Sequence, residues 1–196
     1  MTRLDFAVKR GFDITVAAAG LAVLWPVIAV TWVLAGLDTG ASGFFRQERV
    51  GRDGKIFRVV KLRTMRPVGG TSVTMAGDPR ITPLGAKLRR YKLDELPQLW
   101  NVLIGNMSFV GPRPDVPGFM DKLEGAEREL LKLRPGITGP ATLKYRNEEE
   151  ILASVENPER FNSEIIWPDK VHLNMDYMRT WSLRNDISFI LRTIFG

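Results

Sequence analysis

A long stretch without charged residues lies near the start of the chain. The 24 consecutive positions from Ile14 to Leu37 carry no charge. Folded as a helix, such a stretch would be about 36 Å long, which exceeds the roughly 30 Å hydrocarbon core of a bilayer. The pattern predicts a membrane-spanning helix, a re-entrant helical hairpin or a helix buried in the protein core.

A proline near the middle of this stretch favours the re-entrant alternative. Pro26 removes one backbone hydrogen bond and clashes with the preceding turn, so we expect two helices separated by a break. Basic residues flank the stretch, with Arg10 before it and Arg46 after it, and positive charge marks the cytoplasmic side of membrane segments. We therefore predict that the segment enters one leaflet and returns, and a kinked spanning helix is the alternative.

Shorter patterns predict a small antiparallel hairpin and several helices in the rest of the chain. Alternating residues around a glycine-containing turn predict two strands, over 44–50 and 55–65. Helical patterns cover 83–91, 117–133, 168–180 and 186–195. A loop is expected over 67–77. The expected fold is α+β and mostly helical, with residues 1–40 as the membrane segment and residues 41–196 as a domain with amphipathic helices at the membrane surface.

Two adjacent carboxylates precede an apolar helical pattern in the middle of the chain. The apolar positions of this pattern are Leu96, Leu99, Trp100 and Leu103. Because Pro97 is tolerated only in a first turn, we predict that the helix begins near Asp94, with Asp94 as its N-cap, and ends before Gly105. Asp94 and Glu95 are then either capping residues or groups that react with a phosphate at the positive helix end.

Composition restricts the chemistry and the partners. The absence of cysteine excludes disulfides, thiolate nucleophiles and cysteine-based zinc sites, and the single histidine cannot form a histidine cluster, so any metal would have oxygen ligands, as Mg²⁺ does. The net charge of +6 predicts a polyanionic partner: anionic lipid, nucleotide phosphates or nucleic acid. We expect no nucleic-acid partner, because the chain combines a membrane-type segment with a basic region that is not rich in aromatic residues.

The positive charge is concentrated in the predicted hairpin. Its cations are Arg46, Arg49, Arg52, Lys55, Arg58, Lys61, Arg63 and Arg66, against two acidic residues in the same segment. Such a surface is either simply hydrated or attracted to anionic lipid. A second unusual segment holds Arg113 between two prolines, which restrict its backbone to an extended conformation. It is either a proline-rich surface loop or a rigid phosphate-binding guanidinium.

Several motifs then occur in one order along the chain. They are Lys9-Arg10, the apolar stretch with Pro26, Gln47-Glu48-Arg49-Val50-Gly51, Lys61-Leu62-Arg63-Thr64-Met65, Leu93-Asp94-Glu95-Leu96-Pro97-Gln98-Leu99, Gly111-Pro112-Arg113-Pro114 and Arg134-Pro135-Gly136-Ile137-Thr138-Gly139. With this combination the chain closely resembles the bacterial sugar transferases, which are the monotopic phosphoglycosyl transferases. The similarity runs from about Phe6 to the C-terminus and is to the minimal, single-domain form of the family.

The resemblance implies an enzyme that moves a sugar 1-phosphate from a UDP-sugar to polyprenyl (undecaprenyl) phosphate and releases UMP. By the same resemblance, the sugar is expected to be an N-acetylated hexosamine derivative. Asp94 matches the nucleophile, which forms a covalent phosphoryl-aspartate in a ping-pong mechanism, and Glu95 matches its partner, with both carboxylates candidates to hold Mg²⁺. Arg113 matches a phosphate clamp, Arg89 a basic position near the nucleotide, and Arg146 a further basic position.

The resemblance also implies a location and a biological role. The lipid bilayer is the expected partner, and the chain is expected on the cytoplasmic face of the bacterial inner membrane, where it would catalyse the first membrane step of surface polysaccharide or glycan synthesis. Residues 41–196 would form the catalytic domain. The alternative is a non-enzymatic, basic membrane-surface protein that binds anionic lipid, which leaves Asp94, Glu95 and the prolines around Arg113 unexplained.

One position departs from the pattern of the family. Relatives often carry an aspartate in a segment where this chain has Asn174. A nucleotide or metal contact made by that aspartate would have to come from Asp169 or Asp176 in this chain.

Overall fold

Helices dominate the computed structural model, which describes residues 1–67 and 78–196. Within these residues the α-helices are α1 (Arg3–Thr39), α2 (Pro83–Arg90), α3 (Gln98–Ile104), α4 (Pro140–Lys144), α5 (Glu148–Ala153), α6 (Pro158–Phe161), α7 (Trp167–Arg179) and α8 (Leu183–Phe195). The strands are β1 (Phe44–Val50), β2 (Ile56–Leu62), β3 (Ser108–Val110) and β4 (Gly136–Thr138). The expected α+β, mostly helical fold is confirmed. The loop predicted over 67–77 lies, after its first residue, outside the described residues.

The N-terminal helix is continuous where the sequence predicts a break. α1 begins after a capping box formed by Thr2 and Asp5, passes through Pro26 and ends at Gly40, whose φ is 68°. The prediction of two separate helices is therefore wrong. A proline removes only one hydrogen bond of a helix this long, and the neighbouring turns keep theirs. By length and composition, α1 is apolar enough to cross a membrane.

Both ends of α1 are attached to the same body of the protein. Near its start, Arg10 donates hydrogen bonds to two carbonyl oxygens at the end of α3, at 2.6 and 2.8 Å. After its end, Gly43 lies so close to Trp32 that a Cβ atom on Gly43 would be 2.0 Å from the Trp32 carbonyl oxygen. The backbone N–H of Arg63, just after β2, donates to the Gly43 carbonyl at 2.7 Å. The apolar segment thus begins and ends on the domain that contains β2 and α3.

The predicted hairpin is confirmed, with its second strand ending at Leu62. β1 and β2 are antiparallel, and their register places Arg46 opposite Val60. Asn101 of α3 fixes this hairpin in place, because its side-chain Nδ2 donates to the carbonyl of Arg58 at 2.8 Å and its Oδ1 accepts from the N–H of Val60 at 2.9 Å. Since successive side chains of a strand point to opposite faces, the hairpin presents different residues to its two sides.

A second, parallel strand pair was not predicted. β3 and β4 join the two proline- and glycine-rich segments. The N–H of Gly136 donates to the carbonyl of Pro112 at 2.7 Å, and the N–H of Gly111 donates to the carbonyl of Thr138 at 2.9 Å. A Cβ atom on Gly136 would lie 2.2 Å from the nitrogen of Gly111, so only glycine fits. This close packing fixes the backbone on which Arg113 is held.

The segment over 117–133 differs from its prediction. It forms two 3₁₀ segments, Met120–Lys122 and Gly125–Lys132, instead of one α-helix. The cause is backbone conformation, because Gly118 and Gly125 have φ angles of 117° and 54°. The helices predicted over 168–180 and 186–195 are confirmed as α7 and α8, although α8 begins at Leu183.

A buried ion pair joins the first helix to the last. Nζ of Lys9 lies 2.5 Å from Oδ2 of Asp186, and both residues are buried. The hydroxyl of Tyr177 donates to Oδ1 of Asp186 at 2.7 Å, and Nε1 of Trp181 donates to Oδ2 at 3.1 Å. Both carboxylate oxygens of Asp186 are therefore hydrogen-bonded, and we call these four residues the Asp186 cluster.

Candidate active site

The two adjacent carboxylates lie in a tight turn instead of at a helix cap. Residues Leu93–Glu95 form a 3₁₀ turn that follows Lys92, whose φ of 56° is in the left-handed region. α3 begins only after Pro97, so the prediction that Asp94 caps this helix is wrong, while its predicted end before Gly105 is confirmed. Trp100, predicted on the buried face, is 53% exposed. The turn leaves both carboxylates without a capping role for α3.

Asp94 is a buried carboxylate with an unpartnered oxygen. It is 8% exposed, and within the described part of the chain its Oδ1 has no hydrogen-bond partner. Burial and the negative charge of Glu95 raise the pKa of Asp94 above its ordinary value, while Lys61, Arg89 and Lys92 act in the opposite direction. A carboxylate with a raised pKa is more basic, and when ionised it is a better nucleophile than an ordinary one.

Glu95 has the opposite character. Its Oε1 accepts a hydrogen bond from Nζ of Lys61 at 2.8 Å, and both side chains are largely buried. Burial acts to raise the pKa of Glu95, but the charges of Lys61 and Arg113 outweigh burial and lower it. Glu95 is thus held ionised by a fixed partner, whereas its neighbour Asp94 is not.

Arg89 is held close to this turn by the end of α2. The helix starts at Pro83 with the hydroxyl of Thr82 accepting from the N–H of Gly85, which confirms the predicted cap. Nε of Arg89 donates to the hydroxyl oxygen of Thr64 at 2.8 Å, so the guanidinium has a defined position. Its charge reaches Asp94, since it acts to lower the pKa of that carboxyl group.

A small cavity of about 20 Å³ lies beside Glu95. Side chains from β1, β2, α3 and the loop after β3 line it, including Arg49, Lys61, Glu95, Gln98, Arg113 and Pro114. A volume of this size holds about one water molecule. A ligand larger than water would therefore lie outside the cavity, on the surface from which Arg113 is exposed.

Two guanidinium groups meet at this cavity. Nη1 of Arg49 donates to the carbonyl of Pro114 at 3.1 Å, which ties the hairpin to the loop that carries Arg113. Burial, followed by repulsion from Arg113, lowers the pKa of Arg49. Burial also raises the pKa of Asp115 to about 6, although Lys170, Arg113 and Arg49 oppose it. Like charges held this close together favour the binding of an anion such as phosphate.

Arg146 and Asn174 lie apart from the residues that line the cavity. Arg146 is exposed after the end of α4. Asn174 is 5% exposed, and its Oδ1 has no hydrogen-bond partner within the described residues. Asp169 forms an ion pair with Lys144, whose Nζ lies 2.7 Å from Oδ2 of Asp169. Asp176 is half-exposed beside His172. The structure thus brings together Asp94, Glu95, Arg89 and Arg113, but not the other candidates.

Sequence reasoning missed two cations of the site. In the sequence, Lys61 and Arg49 belong to the basic hairpin and to two of the family motifs, but no role in the site was predicted for either. In the structure they line the cavity together with Val59, whereas the residue between Val59 and Lys61 faces away. The period of two in a strand could have assigned Val59 and Lys61 to one face, but not shown that this face meets Glu95.

Comparison with known proteins identifies the family. Residues 4–196 match the model of a family described as bacterial sugar transferase. A putative undecaprenyl-phosphate N-acetylgalactosaminyl 1-phosphate transferase of Bacillus subtilis is 44% identical over 138 residues, which are 63% of this chain and 77% of that protein. The exopolysaccharide production protein ExoY of Sinorhizobium fredii is 31% identical over 95% of this chain and 83% of its own length.

A longer relative matches over part of its length. The UDP-glucose:undecaprenyl-phosphate glucose-1-phosphate transferase of Escherichia coli is 35% identical over 95% of this chain, which covers 39% of that protein. The Bacillus subtilis and Escherichia coli relatives are named for different sugars, and the family match extends over nearly the whole chain. The chain belongs to the bacterial sugar transferase family, as its motifs predict, and it is a transferase enzyme.

Proposed function

We propose that the chain transfers a sugar 1-phosphate from a UDP-sugar to undecaprenyl phosphate and releases UMP. The observation that carries this proposal is the contrast within one turn: Asp94 is buried with a free oxygen and a raised pKa, while Glu95 is paired with Lys61. Relatives named as undecaprenyl-phosphate sugar 1-phosphate transferases supply the class of acceptor. The match to a family of transferases argues against the non-enzymatic alternative.

The reaction proceeds in two displacements at one phosphorus atom. First, a carboxylate oxygen of Asp94 attacks the phosphorus that bears the sugar, an O–P bond forms, and the bond to the UMP oxygen breaks with its electron pair leaving on UMP. Second, an oxygen of undecaprenyl phosphate attacks the same phosphorus, and the bond to Asp94 breaks. This regenerates the carboxylate and yields a lipid diphosphate sugar. A nucleophile with a raised pKa suits this covalent mechanism.

Cations around the turn support the displacement by neutralising the diphosphate. Arg89 acts beside Asp94, and Arg49 and Arg113 act beside Glu95. Phosphoryl transfer depends mainly on positioning and on such charge stabilisation. Because the cavity is only about 20 Å³, the sugar nucleotide binds outside it, over the exposed guanidinium of Arg113.

Mg²⁺ is the metal that fits these residues. Within the described residues no group of three or more acidic, histidine or cysteine side chains could hold a metal by itself. Mg²⁺ commonly binds one or two carboxylates and completes its coordination with substrate phosphates and water. Asp94, with its unpartnered Oδ1, and Glu95 would hold it. When bound, the ion supplies positive charge to the diphosphate.

The attachment of both ends of α1 to one domain supports a monotopic topology. A helix that spanned the bilayer would separate Arg10 from Gly43 by the hydrocarbon core, yet both are bonded to the domain that contains α3 and β2. We therefore infer that this continuous helix does not cross the bilayer and that both of its ends lie on one side of the bacterial inner membrane, expected to be the cytoplasmic side. The chain has no cysteine, so single cysteines placed at exposed Thr2 and Ser42 test this. Labelling of both from the cytoplasmic side is expected, and labelling from opposite sides contradicts it.

The reaction is tested by measuring UMP release from a panel of UDP-sugars with Mg²⁺ and undecaprenyl phosphate. The panel starts with UDP-N-acetylhexosamines, because one relative is named for N-acetylgalactosamine. Wild type is compared with Asp94→Asn and with the matched control Asp53→Asn, an exposed aspartate in the hairpin turn. Release that needs Asp94 but not Asp53, and a phosphosugar adduct on Asp94 by mass spectrometry, support the proposal. Equal release from wild type and Asp94→Asn contradicts the assigned nucleophile.

A further inference from the structure

A second, much larger cavity lies on the opposite side of the hairpin from Glu95. It has a volume of about 800 Å³ and lies between α1, the hairpin and α3. Its walls are mainly apolar, and they include Leu21, Ile28, Phe44, Ile56, Trp100 and Ile104. A volume of this size falls within the roughly 300–1,000 Å³ that is typical of ligand sites. The protein therefore has an apolar groove beneath α1 that the catalytic residues do not use.

The groove and the catalytic cavity share one strand as a wall. Val60 of β2 lines the groove, while its neighbours Val59 and Lys61 line the cavity that contains Glu95. The groove extends to Pro97, which follows the catalytic turn by two residues. A ligand in the groove therefore has one end close to the site of chemistry.

The position of the groove and its charge indicate the kind of ligand. α1 is apolar on its outer side as well, where Val23 and Val30 are exposed, so the groove lies beside the segment that we place in the membrane. The hairpin contributes two cations, Arg46 and Arg58, and one carboxylate, Glu48, to the groove, and Glu48 is only loosely paired with Arg58, at 3.4 Å, so the positive charge is in excess. An apolar channel with guanidinium groups along one wall fits a lipid that has a long hydrocarbon chain and an anionic head group.

We propose that this groove binds the isoprenoid chain of the lipid acceptor and directs its phosphate past Pro97 to Asp94. The inference rests on the proposed function, which requires a long polyprenyl phosphate to reach a buried carboxylate. Lipid bound between α1 and the hairpin approaches the catalytic turn from the groove side, while the sugar nucleotide binds on the side of Arg113. The two substrates then use different faces of the hairpin, as a reaction in two separate displacements permits.

The test uses substitutions that narrow the groove and measures the two half-reactions separately. Ile28→Trp and Ile56→Trp place larger side chains in it, and Val30→Trp, on the outer side of α1 with 59% exposure, is the matched control. The burst of UMP without acceptor reports the first half-reaction and also shows that each variant is folded. Steady-state turnover is then measured with undecaprenyl phosphate and with a short two-isoprene phosphate.

The groove variants are expected to raise KM for undecaprenyl phosphate by about tenfold, because lost burial of a few apolar groups has this effect on binding. KM for the short acceptor and all values for Val30→Trp should change by less than about twofold, within the spread of surface changes. Equal changes for long and short acceptors, or none in any variant, overturn the groove assignment. Absence of a UMP burst in wild type would instead contradict the proposed function itself.

Photolabelling distinguishes the acceptor from ordinary membrane lipid. A diazirine-bearing polyprenyl phosphate is cross-linked to wild-type protein, and the labelled peptides are mapped. Labelling on β2 and α3 that undecaprenyl phosphate removes, and that an equal amount of phosphatidylglycerol does not, supports the proposal. Equal competition by both lipids shows a general acyl-chain site and overturns the assignment to the acceptor.

Discussion

Two buried aspartates show how differently the same side chain is used in this molecule. Asp186 is fully buried, and its two oxygens accept hydrogen bonds from Lys9, Tyr177 and Trp181. Asp94 is nearly as buried, but its Oδ1 has no partner within the described residues and the adjacent Glu95 repels its charge. Both oxygens of Asp186 are thus hydrogen-bonded, whereas one oxygen of Asp94 is not.

The difference separates a structural carboxylate from the one that we propose as the nucleophile. A buried ion pair with complete hydrogen bonding holds elements together, and removing one partner leaves an uncompensated charge. A buried carboxylate that lacks partners is costly in the folded state, and such costs are found at functional sites. Replacing Asp94 should therefore reduce activity but not stability, whereas disrupting the Asp186 cluster should reduce stability.

The largest expected effect is the loss of activity in Asp94→Asn. Removal of a covalent nucleophile should reduce turnover by about a thousandfold or more. Since the pKa of Asp94 is raised in the folded protein, its ionisation opposes folding at neutral pH, so the variant should be as stable as wild type or more stable. UMP release and urea unfolding in detergent measure the two effects. A variant that is inactive because it is unfolded would contradict this contrast.

Lys9→Met tests the contribution of the Asp186 cluster to stability. It leaves Asp186 charged and buried, and the expected loss is about 3–5 kcal/mol of unfolding free energy. Lys122→Met, an exposed lysine, serves as the control and should change little. The double variant Lys9→Met with Asp186→Asn should recover part of the loss, because no charge then remains buried. If Lys9→Met alone unfolds like wild type, the Asp186 cluster does not hold α1 to α8.

Lys61→Met should reduce the difference in pKa between the two neighbouring carboxylates, Asp94 and Glu95. Lys61 helps to lower the pKa of Glu95, so its removal raises that pKa and the ionised form is lost at higher pH. The acidic limb of the pH profile for the UMP burst should move upward, and turnover at neutral pH should fall by about tenfold. Lys55→Met, in the exposed hairpin turn, is the matched control. An unshifted profile would show that Glu95 does not depend on Lys61.

The smallest effect is expected at Asp115, a half-buried carboxyl group. Its pKa of about 6 lies above the ordinary 3.8, so the folded state favours the protonated form. The associated stability is fully present below pH 3.8 and is lost as pH rises through about 6. Asp115→Asn should therefore raise Tm relative to wild type at pH 8 but not at pH 4. A constant difference in Tm at all pH values would contradict this assignment.

Local sequence patterns predicted the secondary-structure elements better than the contacts between them. The strands of the hairpin, the cap at Thr82 and the rigid backbone around Arg113 follow from residue types that act over a few positions. The pairing of Lys61 with Glu95 and the joining of β3 to β4 depend on chain segments far apart in sequence, which no local period reveals.

Two wrong predictions have local causes that the pattern conceals. Asp94 was expected to cap a helix because an apolar helical pattern follows it, but the left-handed conformation of Lys92 starts a separate tight turn. A break was expected at Pro26, but a single lost hydrogen bond does not end a helix whose other turns are intact. In both places the sequence identified a position of unusual backbone conformation or hydrogen bonding. The balance of backbone energies then decided which conformation forms there.

The ion pair between Lys9 and Asp186 also affects how the protein is made. These residues are 177 positions apart, so a ribosome completes almost the whole catalytic domain after Lys9 has emerged and before Asp186 exists. Until then Lys9 lacks its carboxylate partner, and α1 is held to the domain by other contacts, such as those of Arg10 with the end of α3. Insertion of the N-terminal segment into the membrane can therefore begin during synthesis, and the ion pair that joins α1 to α8 forms only once α8 has left the exit tunnel.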